Sequence, residues 1–263
     1  MKGEMSVLEQ WSEDTGVRII RLNRPNQANA LSMSLLKELQ STLQEIKNNE
    51  EIRCVIFTGS GDRVFSAGAD LKERRELPAD QVPMAVSLIK DTINLIDELP
   101  QPTITCLNGS AFGGGLELAL ACDLRIAVRD AKLGLTETTL GIIPGAGGTQ
   151  RLPRIVGVAK AKELIFTGKR ISAEEAKEIG LVNEVVPNGE SMKAGLEWAG
   201  QIAANGPIAV KAAKKAITRG LDTNLANGID PENECYQLTI PTEDRLEGLR
   251  AFQEKRKPVY RGI

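Results

Sequence analysis

The chain has 263 residues, of which 26% are charged and 41% are hydrophobic, and its formal net charge is −2. This length predicts one large domain, with or without a small appendage, and the near-neutral balance excludes a global attraction to nucleic acid or anionic membranes. The sequence contains no histidine, which excludes Ser-His-Asp and Cys-His triads, histidine metal sites and histidine general bases.

The first half of the chain alternates predicted strands and helices. A strand over 16–22 is followed by a helix that Ser32 can cap, with apolar residues at helical spacing. An apolar, β-branched strand over 53–58 comes next, and this βαβ order predicts a parallel pair of strands. The later elements are a helix over 82–99, strands over 103–107 and 123–128, and a short Gly-rich helix over 113–122.

Beyond Gly148 the pattern is mostly helical. The predicted helices cover residues 157–167, 172–179, 190–204, 207–220, 224–238 and 242–255. The turn Asn205-Gly206-Pro207 can separate a core from a C-terminal helical part, or the later helices can cover the same core. The four cysteines form no CxxC pair, and three lie in apolar runs, so we interpret them as small buried hydrophobic residues.

The N-terminal segment 1–13 carries three glutamates and has no apolar stretch. It therefore resembles neither a secretory signal nor an Arg-rich transit peptide. No apolar run reaches the length of a membrane span, and reduced cysteines are typical of the cytosol. We expect a cytoplasmic protein with no membrane partner.

Two glutamates carry the strongest chemical signal. Glu117 lies in the run GGGLELAL over 113–120, and Glu137 lies in LGLTETTLG over 133–141. A carboxylate among Gly, Ala and Leu is costly to bury unless it is paired or has a chemical role. Two such carboxylates can divide acid and base roles if their surroundings separate their pKa values. A surface-facing Glu117 and a Glu137 on an exposed loop are the structural alternatives.

Small residues at two turns can bring backbone N–H groups close to a ligand. The turn FSAGAD over 65–70 precedes a charged helical stretch, and the three glycines over 113–115 open a helix. Free N–H groups at a helix start and the helix dipole favour a developing oxyanion. The spacing matches neither the GxGxxG fingerprint nor a P-loop. An ordinary loop and tight helix packing are the alternatives at these two places.

A third Gly-rich helix start covers 145–152, and a basic run at 255–257 follows Phe252. Both are ambiguous, because the first can bind an anion or simply turn tightly. The second can contact a phosphate beside a stacking aromatic ring, or it can be a solvated tail.

Together these segments resemble the enoyl-CoA hydratase/isomerase (crotonase) superfamily from about residue 16 to the C-terminus. The motifs that carry the resemblance are LNRP over 22–25 with NAL over 29–31, FSAGADLKE over 65–73, NGSA over 108–111, GGGLELA over 113–119, Glu137, GIIPG over 141–145 and GTQRL over 148–152. Within the family, LELALACD over 116–123 and TIPTEDRLEGL over 239–249 resemble the 3-methylglutaconyl-CoA hydratases, one of which is also described as binding AU-rich RNA.

The resemblance implies an α/β fold with a crotonase-type β-β-α spiral core. The core and its acyl-CoA site are expected over 1–205, and a C-terminal α-helical trimerisation region over 206–263. Members of the family usually assemble as a dimer of trimers, so a homo-hexamer is expected. The substrate is expected to be an acyl-CoA, and neither a metal nor another cofactor is expected.

By motif match, Glu117 and Glu137 correspond to the two catalytic glutamates of the family, and the N–H groups of Ala67 and Gly114 to its oxyanion hole. CoA is expected to lie along residues 67–70. The further predicted substrate contacts are Ala28, Gly68, Ala69, Asp70, Lys72, Phe252 and Lys255, the last two often across a subunit boundary. Asn26 stands where many members have a lysine, which puts one phosphate contact in doubt.

These assignments predict syn addition of water across the C2=C3 bond of a short-chain or branched 2-enoyl-CoA, with 3-methylglutaconyl-CoA as one candidate. A Δ3,Δ2-enoyl-CoA isomerase is the nearest enzymatic alternative, and a silent scaffold subunit is another. RNA binding is disfavoured, because segment 29–58 has three basic and four acidic residues. The sequence leaves open which glutamate is the base and whether Lys72, Arg74 or Arg75 binds a substrate carboxylate.

Overall fold

The computed structural model describes residues 7–13, 15–221 and 223–263. Part of the N-terminal segment on which the leader prediction rests, residues 1–6, lies outside the described residues. The strands are β1 Leu8–Glu13, β2 Val17–Leu22, β3 Cys54–Gly59, β4 Val64–Ser66, β5 Thr103–Leu107, β6 Ser110–Phe112, β7 Leu124–Val128, β8 Lys132–Gly134, β9 Ile171–Ser172 and β10 Glu184–Val186.

The helices alternate with these strands in the first half and dominate the second. They are α1 Met33–Lys47, α2 Leu71–Glu76, α3 Val82–Asp97, α4 Gly114–Ala121, α5 Gly148–Val156, α6 Val158–Thr167, α7 Ala173–Glu178, α8 Ser191–Ala203, α9 Pro207–Leu221, α10 Leu225–Gln237 and α11 Glu243–Glu254. The predicted helices and strands are confirmed to within a few residues at their ends.

Two sheets form the core. The larger has the strand order β1-β2-β3-β5-β7-β10 and the smaller has the order β4-β6-β8-β9. The predicted parallel pair is confirmed, since β2 and β3 run parallel with Val17 opposite Cys54. The sequence analysis missed β1, a six-residue strand in the N-terminal segment. It also missed all the strands of two or three residues, because such short strands have no periodicity to detect.

Helix α1 shows how sequence pattern becomes packing. The Ser32 side chain accepts a hydrogen bond from the Leu35 N–H at the helix start, as expected for an N-cap. Its apolar stripe, including Leu35 and Leu39, is fully buried. Strand β3 is buried along its whole length, which is typical of a central strand in a parallel sheet.

The order of strands and helices is the β-β-α spiral that the resemblance implied. Strands β3, β5 and β7 of the larger sheet are each followed by a short strand of the smaller sheet, namely β4, β6 and β8. These three short strands run parallel to one another. Their carboxyl ends therefore lie along one edge, and the chain leaves that edge at Ser66, Phe112 and Gly134.

The C-terminal helices are tied to the core by polar contacts. Arg53 donates hydrogen bonds to the carbonyl oxygens of Ala203 and Tyr260. Lys214 on α9 pairs with Asp123 at an Nζ–Oδ2 distance of 2.7 Å. The division at residues 205 and 206 stays a prediction, since these bonds join the two parts without marking a boundary.

All four cysteines are free thiols and are buried, as expected. Burial raises the pKa of Cys54 to about 12, so this thiol stays protonated and unreactive. Among the described residues, no three His, Cys, Asp or Glu side chains are grouped as they would be to hold a metal. The described helices include none that is long and apolar enough to span a membrane.

Candidate active site

A cavity of about 840 Å³ opens at the edge where β4, β6 and β8 end. Its walls come from the turn after β4, helices α2 and α3, the start of α4 and the loop 136–146. Five predicted site residues line it together, namely Ala67, Ala69, Gly114, Glu117 and Glu137. A larger cavity of about 1430 Å³ lies between the core and α9, and none of the predicted site residues lines it.

Glu117 is buried in the first turn of α4, with 3% of its surface exposed. Its Oε1 atom accepts hydrogen bonds of 2.8 Å from the backbone N–H groups of Ala146 and Gly148. Burial raises the pKa of Glu117, although these two bonds and the charge of Arg151 oppose that rise. The surface-facing alternative for Glu117 is therefore wrong, and the second oxygen, Oε2, is the one available to a reactant.

The loop that holds Glu117 is itself held by Arg151. The Arg151 guanidinium donates to the Ala146 carbonyl oxygen at 3.1 Å and to the Asn94 side chain at 2.9 Å. It also forms an ion pair with Asp97 at 2.9 Å. The third Gly-rich helix start therefore serves to position backbone donors around a carboxylate, a role that the sequence alone did not distinguish from a plain turn.

Glu137 begins a short 3₁₀ turn over Glu137–Leu140, directly after β8. Burial raises its pKa to about 7, and the nearby charge of Glu117 adds to the rise. Its Oε2 atom is buried and has no hydrogen-bond partner among the described residues. A Cβ at Gly113 would stand 3.2 Å from Glu137 Oε1. Glu137 is thus a half-buried carboxyl beside α4, which corrects the alternative of an exposed loop.

The structure corrects the predicted oxyanion hole at one position. The Ala67 N–H donates to the Ala28 carbonyl oxygen at 3.0 Å, so it is not available to a ligand. The Ala69 N–H has no acceptor among the described residues. A Cβ at Gly114 would stand 3.6 Å from the Ala69 nitrogen. The Gly114 N–H opens α4 and has no intrahelical partner, so Ala69 and Gly114 form the free pair.

Gly68 explains why the donor is Ala69. Asp70 donates its N–H to the Leu31 carbonyl oxygen, so in extended backbone the preceding N–H of Ala69 points the other way. Ala67 lies on the Ala28 side because Gly68, at φ +88°, reverses the usual alternation. A Cβ at Gly68 would also stand 2.8 Å from the Phe112 carbonyl oxygen. The sequence could not show this reversal, which depends on a neighbouring segment.

Buried polar side chains fix this turn. The Ser66 hydroxyl donates to the Asn29 carbonyl oxygen at 2.8 Å and accepts from the Gly68 N–H at 3.2 Å. The Asn29 side chain bonds to the Arg24 N–H and to the carbonyl oxygens of Ser60 and Val64. The motif around Asn29 that supported the resemblance therefore acts as a scaffold for the turn.

The structure places the other predicted substrate contacts outside the cavity lining, with Ala69 as the exception. Asp70 caps α2 and pairs with Arg24 at 2.9 Å. Lys72 is exposed on α2, Lys255 is exposed at the end of α11, and Phe252 is 85% exposed. The residues not brought to the cavity are Ala28, Gly68, Asp70, Lys72, Phe252 and Lys255. Their contacts with CoA stay predictions.

Two arginines line the cavity, namely Arg74, which the sequence analysis left open as a contact for a substrate carboxylate, and Arg170, which it did not single out. The Arg170 guanidinium lies over the Phe112 ring, 4.5 Å from its centroid. Arg170 precedes β9, a strand too short to predict, and no sequence signal pointed to it. Arg74 was one of three candidate cations on α2, and it is the one that lines the cavity, since Lys72 and Arg75 do not.

The arrangement suits proton transfer next to a polarised carbonyl. Two carboxyl groups with raised pKa values share a partly closed cavity with two free backbone N–H groups. The N–H pair can stabilise an oxyanion, while the carboxyl groups can take and give protons on neighbouring atoms.

Known proteins provide a comparison for this site and fold. The sequence model of the family described as "Enoyl-CoA hydratase/isomerase" matches residues 12–262. The chain is 61% identical over 245 residues to YngF of Bacillus subtilis (strain 168), a protein named as an enoyl-CoA hydratase/isomerase, covering 93% of this chain and 94% of YngF. It is 44% identical over 263 residues to human mitochondrial methylglutaconyl-CoA hydratase, covering 98% of this chain and 78% of that protein.

Solved structures show the same fold. The crystal structure of an enoyl-CoA hydratase from Bacillus anthracis superposes with a TM-score of 0.97 at 54% sequence identity. The superposition covers 98% of this chain and 100% of the other. The core and the C-terminal helices are therefore both shared with that structure.

Proposed function

The chain belongs to the enoyl-CoA hydratase/isomerase family and is an enzyme of the hydratase type; on this premise we propose that it adds water across the C2=C3 bond of a 2-enoyl-CoA. One observation supports the proposal above all. Glu117 and Glu137 line the same cavity as the free N–H groups of Ala69 and Gly114. Hydration needs these three functions together: a base, an acid and an oxyanion hole.

The thioester carbonyl oxygen is held by the N–H groups of Ala69 and Gly114. This contact polarises the conjugated C2=C3 bond, so that C3 becomes electrophilic. When water attacks C3, negative charge moves to the thioester oxygen, where the two donors stabilise it without reorganisation. Removing one donor of this kind lowers a rate by roughly 10²–10³.

We assign the base role to Glu117 and the acid role to Glu137. Glu117 Oε1 already accepts two N–H groups, which stabilises the ionised form, while Oε2 remains free to take a proton from water. Glu137 has a pKa of about 7, and its Oε2 has no hydrogen-bond donor in the part of the chain that the structure describes. Both features favour a protonated Glu137, which can donate to C2.

The proton balance closes in one cycle. Water gives a proton to Glu117 as its oxygen bonds to C3, and Glu137 gives a proton to C2 as the oxyanion collapses. The product is a 3-hydroxyacyl-CoA. Transfer of one proton from Glu117 to Glu137 through solvent then restores the starting state.

For the acyl group we propose a short or branched chain, with 3-methylglutaconyl-CoA as the leading candidate. Support comes from the 44% identity to the human methylglutaconyl-CoA hydratase and from a cation on the cavity wall, Arg74. The proposal includes a homo-hexamer without metal or redox cofactor and a cytoplasmic location, as the sequence led us to expect.

The test is the loss of enoyl-thioester absorbance with crotonyl-CoA and with 3-methylglutaconyl-CoA. Hydration of either substrate, with the 3-hydroxyacyl-CoA identified by mass spectrometry, supports the proposal. Turnover of a 3-enoyl-CoA to the 2-enoyl isomer without hydration of either substrate would make the enzyme an isomerase. No turnover of any of them would contradict both assignments.

A further inference from the structure

We propose that Arg74 determines substrate specificity by binding a carboxylate at the far end of the acyl chain. The substrate class is then a 2-enoyl-CoA with an ionised terminal carboxyl group. The inference rests on the proposed function, because it places the acyl chain in the same cavity. It goes further by naming the residue that binds the end of the acyl chain. It also excludes acyl-CoAs with purely apolar chains as the preferred substrates.

Arg74 is a half-buried cation on the cavity wall without an internal counter-ion. None of the described residues forms an ion pair or a side-chain hydrogen bond with its guanidinium. Its neighbours in the lining include the apolar residues Leu71, Val86 and Ile89. A cation against apolar side chains loses hydration without compensation, unless a ligand supplies the negative partner.

The second arginine of the cavity has different surroundings. The Arg170 guanidinium stacks on the Phe112 ring at 4.5 Å, an arrangement that itself stabilises the cation. Arg170 is also exposed, so water solvates its charge, whereas Arg74 is half-buried. Among the described residues that line the cavity, Arg74 is therefore the cation that gains most from a carboxylate partner.

Arg74 and the two oxyanion donors, Ala69 and Gly114, line the same cavity. Arg74 lies on α2, four residues after its N-cap Asp70 and five after Ala69. In an extended five-carbon acyl chain, C–C bonds of about 1.5 Å place C5 roughly 5 Å from the thioester carbon. A carboxylate at C5 therefore stays within the cavity whose wall carries Arg74.

The chemistry of arginine suits this role. A guanidinium donates two parallel hydrogen bonds to one carboxylate, which fixes geometry as well as charge. An uncharged tail of the same length would leave Arg74 unpaired in the complex. The site would then discriminate against that tail by an unsatisfied cation, not only by a missing contact.

The test measures binding of two saturated acyl-CoA probes by isothermal titration calorimetry. Glutaryl-CoA carries the terminal carboxylate and butyryl-CoA does not, and neither can be hydrated. We expect the wild type to bind glutaryl-CoA roughly ten- to a hundredfold more tightly, the range for a hydrogen-bonded charge pair. In Arg74→Gln the ratio of the two Kd values should fall toward one.

Arg75→Gln is the matched control, because Arg75 is the next residue on α2, is exposed and does not line the cavity. It should keep the wild-type ratio. If Arg74→Gln does not fold, as judged by thermal melting, Arg74→Lys replaces it in the test. Lysine keeps the positive charge but lacks the two parallel N–H donors of a guanidinium. It should lower the preference severalfold without abolishing it. Equal binding of both probes by the wild type, or a preference that survives in Arg74→Gln, would overturn the inference.

Hydration of crotonyl-CoA by the wild type, measured in parallel, separates this inference from the proposed function. Hydration without any preference for glutaryl-CoA defeats only the role of Arg74. A preference for glutaryl-CoA without hydration of crotonyl-CoA or 3-methylglutaconyl-CoA defeats only the proposed reaction.

Discussion

At the scale of single residues, two carboxyl groups of the same chemical type have different surroundings. Glu117 accepts two backbone N–H groups in a buried position, whereas Glu137 has one oxygen with no donor among the described residues. Burial raises the pKa of both carboxyl groups, and backbone hydrogen bonds oppose that rise, two of them at Glu117 and one at Glu137. The two residues can therefore hold different protonation states at the same pH.

We expect Glu117→Gln and Glu137→Gln each to lower kcat by roughly 10²–10⁴, the usual contribution of a positioned acid or base. The fold should survive, because a glutamine oxygen can still accept the bonds from Ala146 and Gly148. Steady-state kinetics on crotonyl-CoA and thermal melting check this. Glu178→Gln, at an exposed position on α7, is the matched control. Near wild-type turnover in both active-site variants would refute the two-carboxylate mechanism.

The pH dependence follows from the raised pKa of Glu137. Because Glu137 must be protonated to donate to C2, and its pKa is about 7, kcat/KM should fall as the pH rises through the neutral range. The apparent value belongs to the coupled pair of glutamates. A pH profile of kcat/KM on crotonyl-CoA checks this, and residual activity of Glu137→Gln should lose the alkaline fall. A rate that increases steadily from pH 7 to pH 9 would contradict the acid role.

At the scale of elements, three short parallel strands position the residues of the active site. Strand β4 ends at the turn with Ala69, β6 ends at the glycines that open α4, and β8 ends just before Glu137. The ends are joined directly, since the Gly113 N–H donates to the Gly134 carbonyl oxygen at 3.0 Å. The small sheet thus brings together residues that are far apart in sequence.

Glycines make this convergence possible. A Cβ at Gly115 would stand 2.4 Å from the Ser66 carbonyl oxygen, so α4 can approach the turn after β4 only with glycine there. The tight-packing alternative for the Gly-rich run is correct for Gly115. Gly114 serves the other purpose, because its N–H faces the cavity beside Ala69.

We expect Gly68→Ala to disrupt the oxyanion hole. The new Cβ would stand 2.8 Å from the Phe112 carbonyl oxygen and 2.9 Å from the Gly114 nitrogen, which must move the donors. We predict a loss in kcat of roughly 10²–10³, comparable to losing one donor. Gly180→Ala is the control, since Gly180 has a φ of +76° and no atom would lie within 4 Å of its Cβ.

Comparing the two alanine variants separates strain from chemistry. Both should lose roughly 1–2 kcal/mol of stability from the left-handed backbone, seen as a lower melting temperature, and Gly68→Ala should lose more because its Cβ meets backbone atoms. Only Gly68→Ala should also have a lower kcat. An equal fall in kcat for both variants would show that Gly68 does not position the donors.

At the scale of the whole molecule, the C-terminal helices expose large apolar side chains. Leu225 is 83% exposed and Phe252 is 85% exposed. Other exposed apolar residues of the C-terminal part are Ile217, Leu221, Ile229, Tyr236, Leu238, Ile240, Leu246, Leu249, Val259 and Ile263. Exposed apolar surface on this scale is typical of a surface that binds another protein. Copies of the same chain are the occupants that the family resemblance implies.

We predict that the protein is a homo-oligomer, with six copies as the expected number. Leu225→Lys combined with Leu249→Lys should shift the mass toward smaller species, because a charge inside an apolar interface is costly to desolvate. Size-exclusion chromatography with light scattering measures this. Gln44→Lys, on the exposed face of α1, adds a charge away from these helices and should leave the mass unchanged. A monomeric wild type would contradict the prediction.

Much of this protein is determined by local sequence. The apolar stripe and Ser32 cap specify α1 without reference to the rest of the chain, and the βαβ order specifies a parallel sheet. Two glutamates in Gly-rich apolar segments indicate acid–base chemistry, because burying a carboxylate there is costly without a role. The Gly-rich turns indicate close approach of backbone, since only glycine permits it.

Only the tertiary structure decided the roles of residues whose surroundings come from segments distant in sequence. Ala28 takes the Ala67 N–H, and Gly68 reverses the backbone, so the free donor is Ala69. Glu137 has a pKa of about 7 because of its burial and its proximity to Glu117. Arg74 lines the cavity, whereas Lys72 and Arg75 on the same helix do not. Hydrogen-bond partners, burial and side-chain direction are properties of neighbours in space, which a linear sequence does not contain.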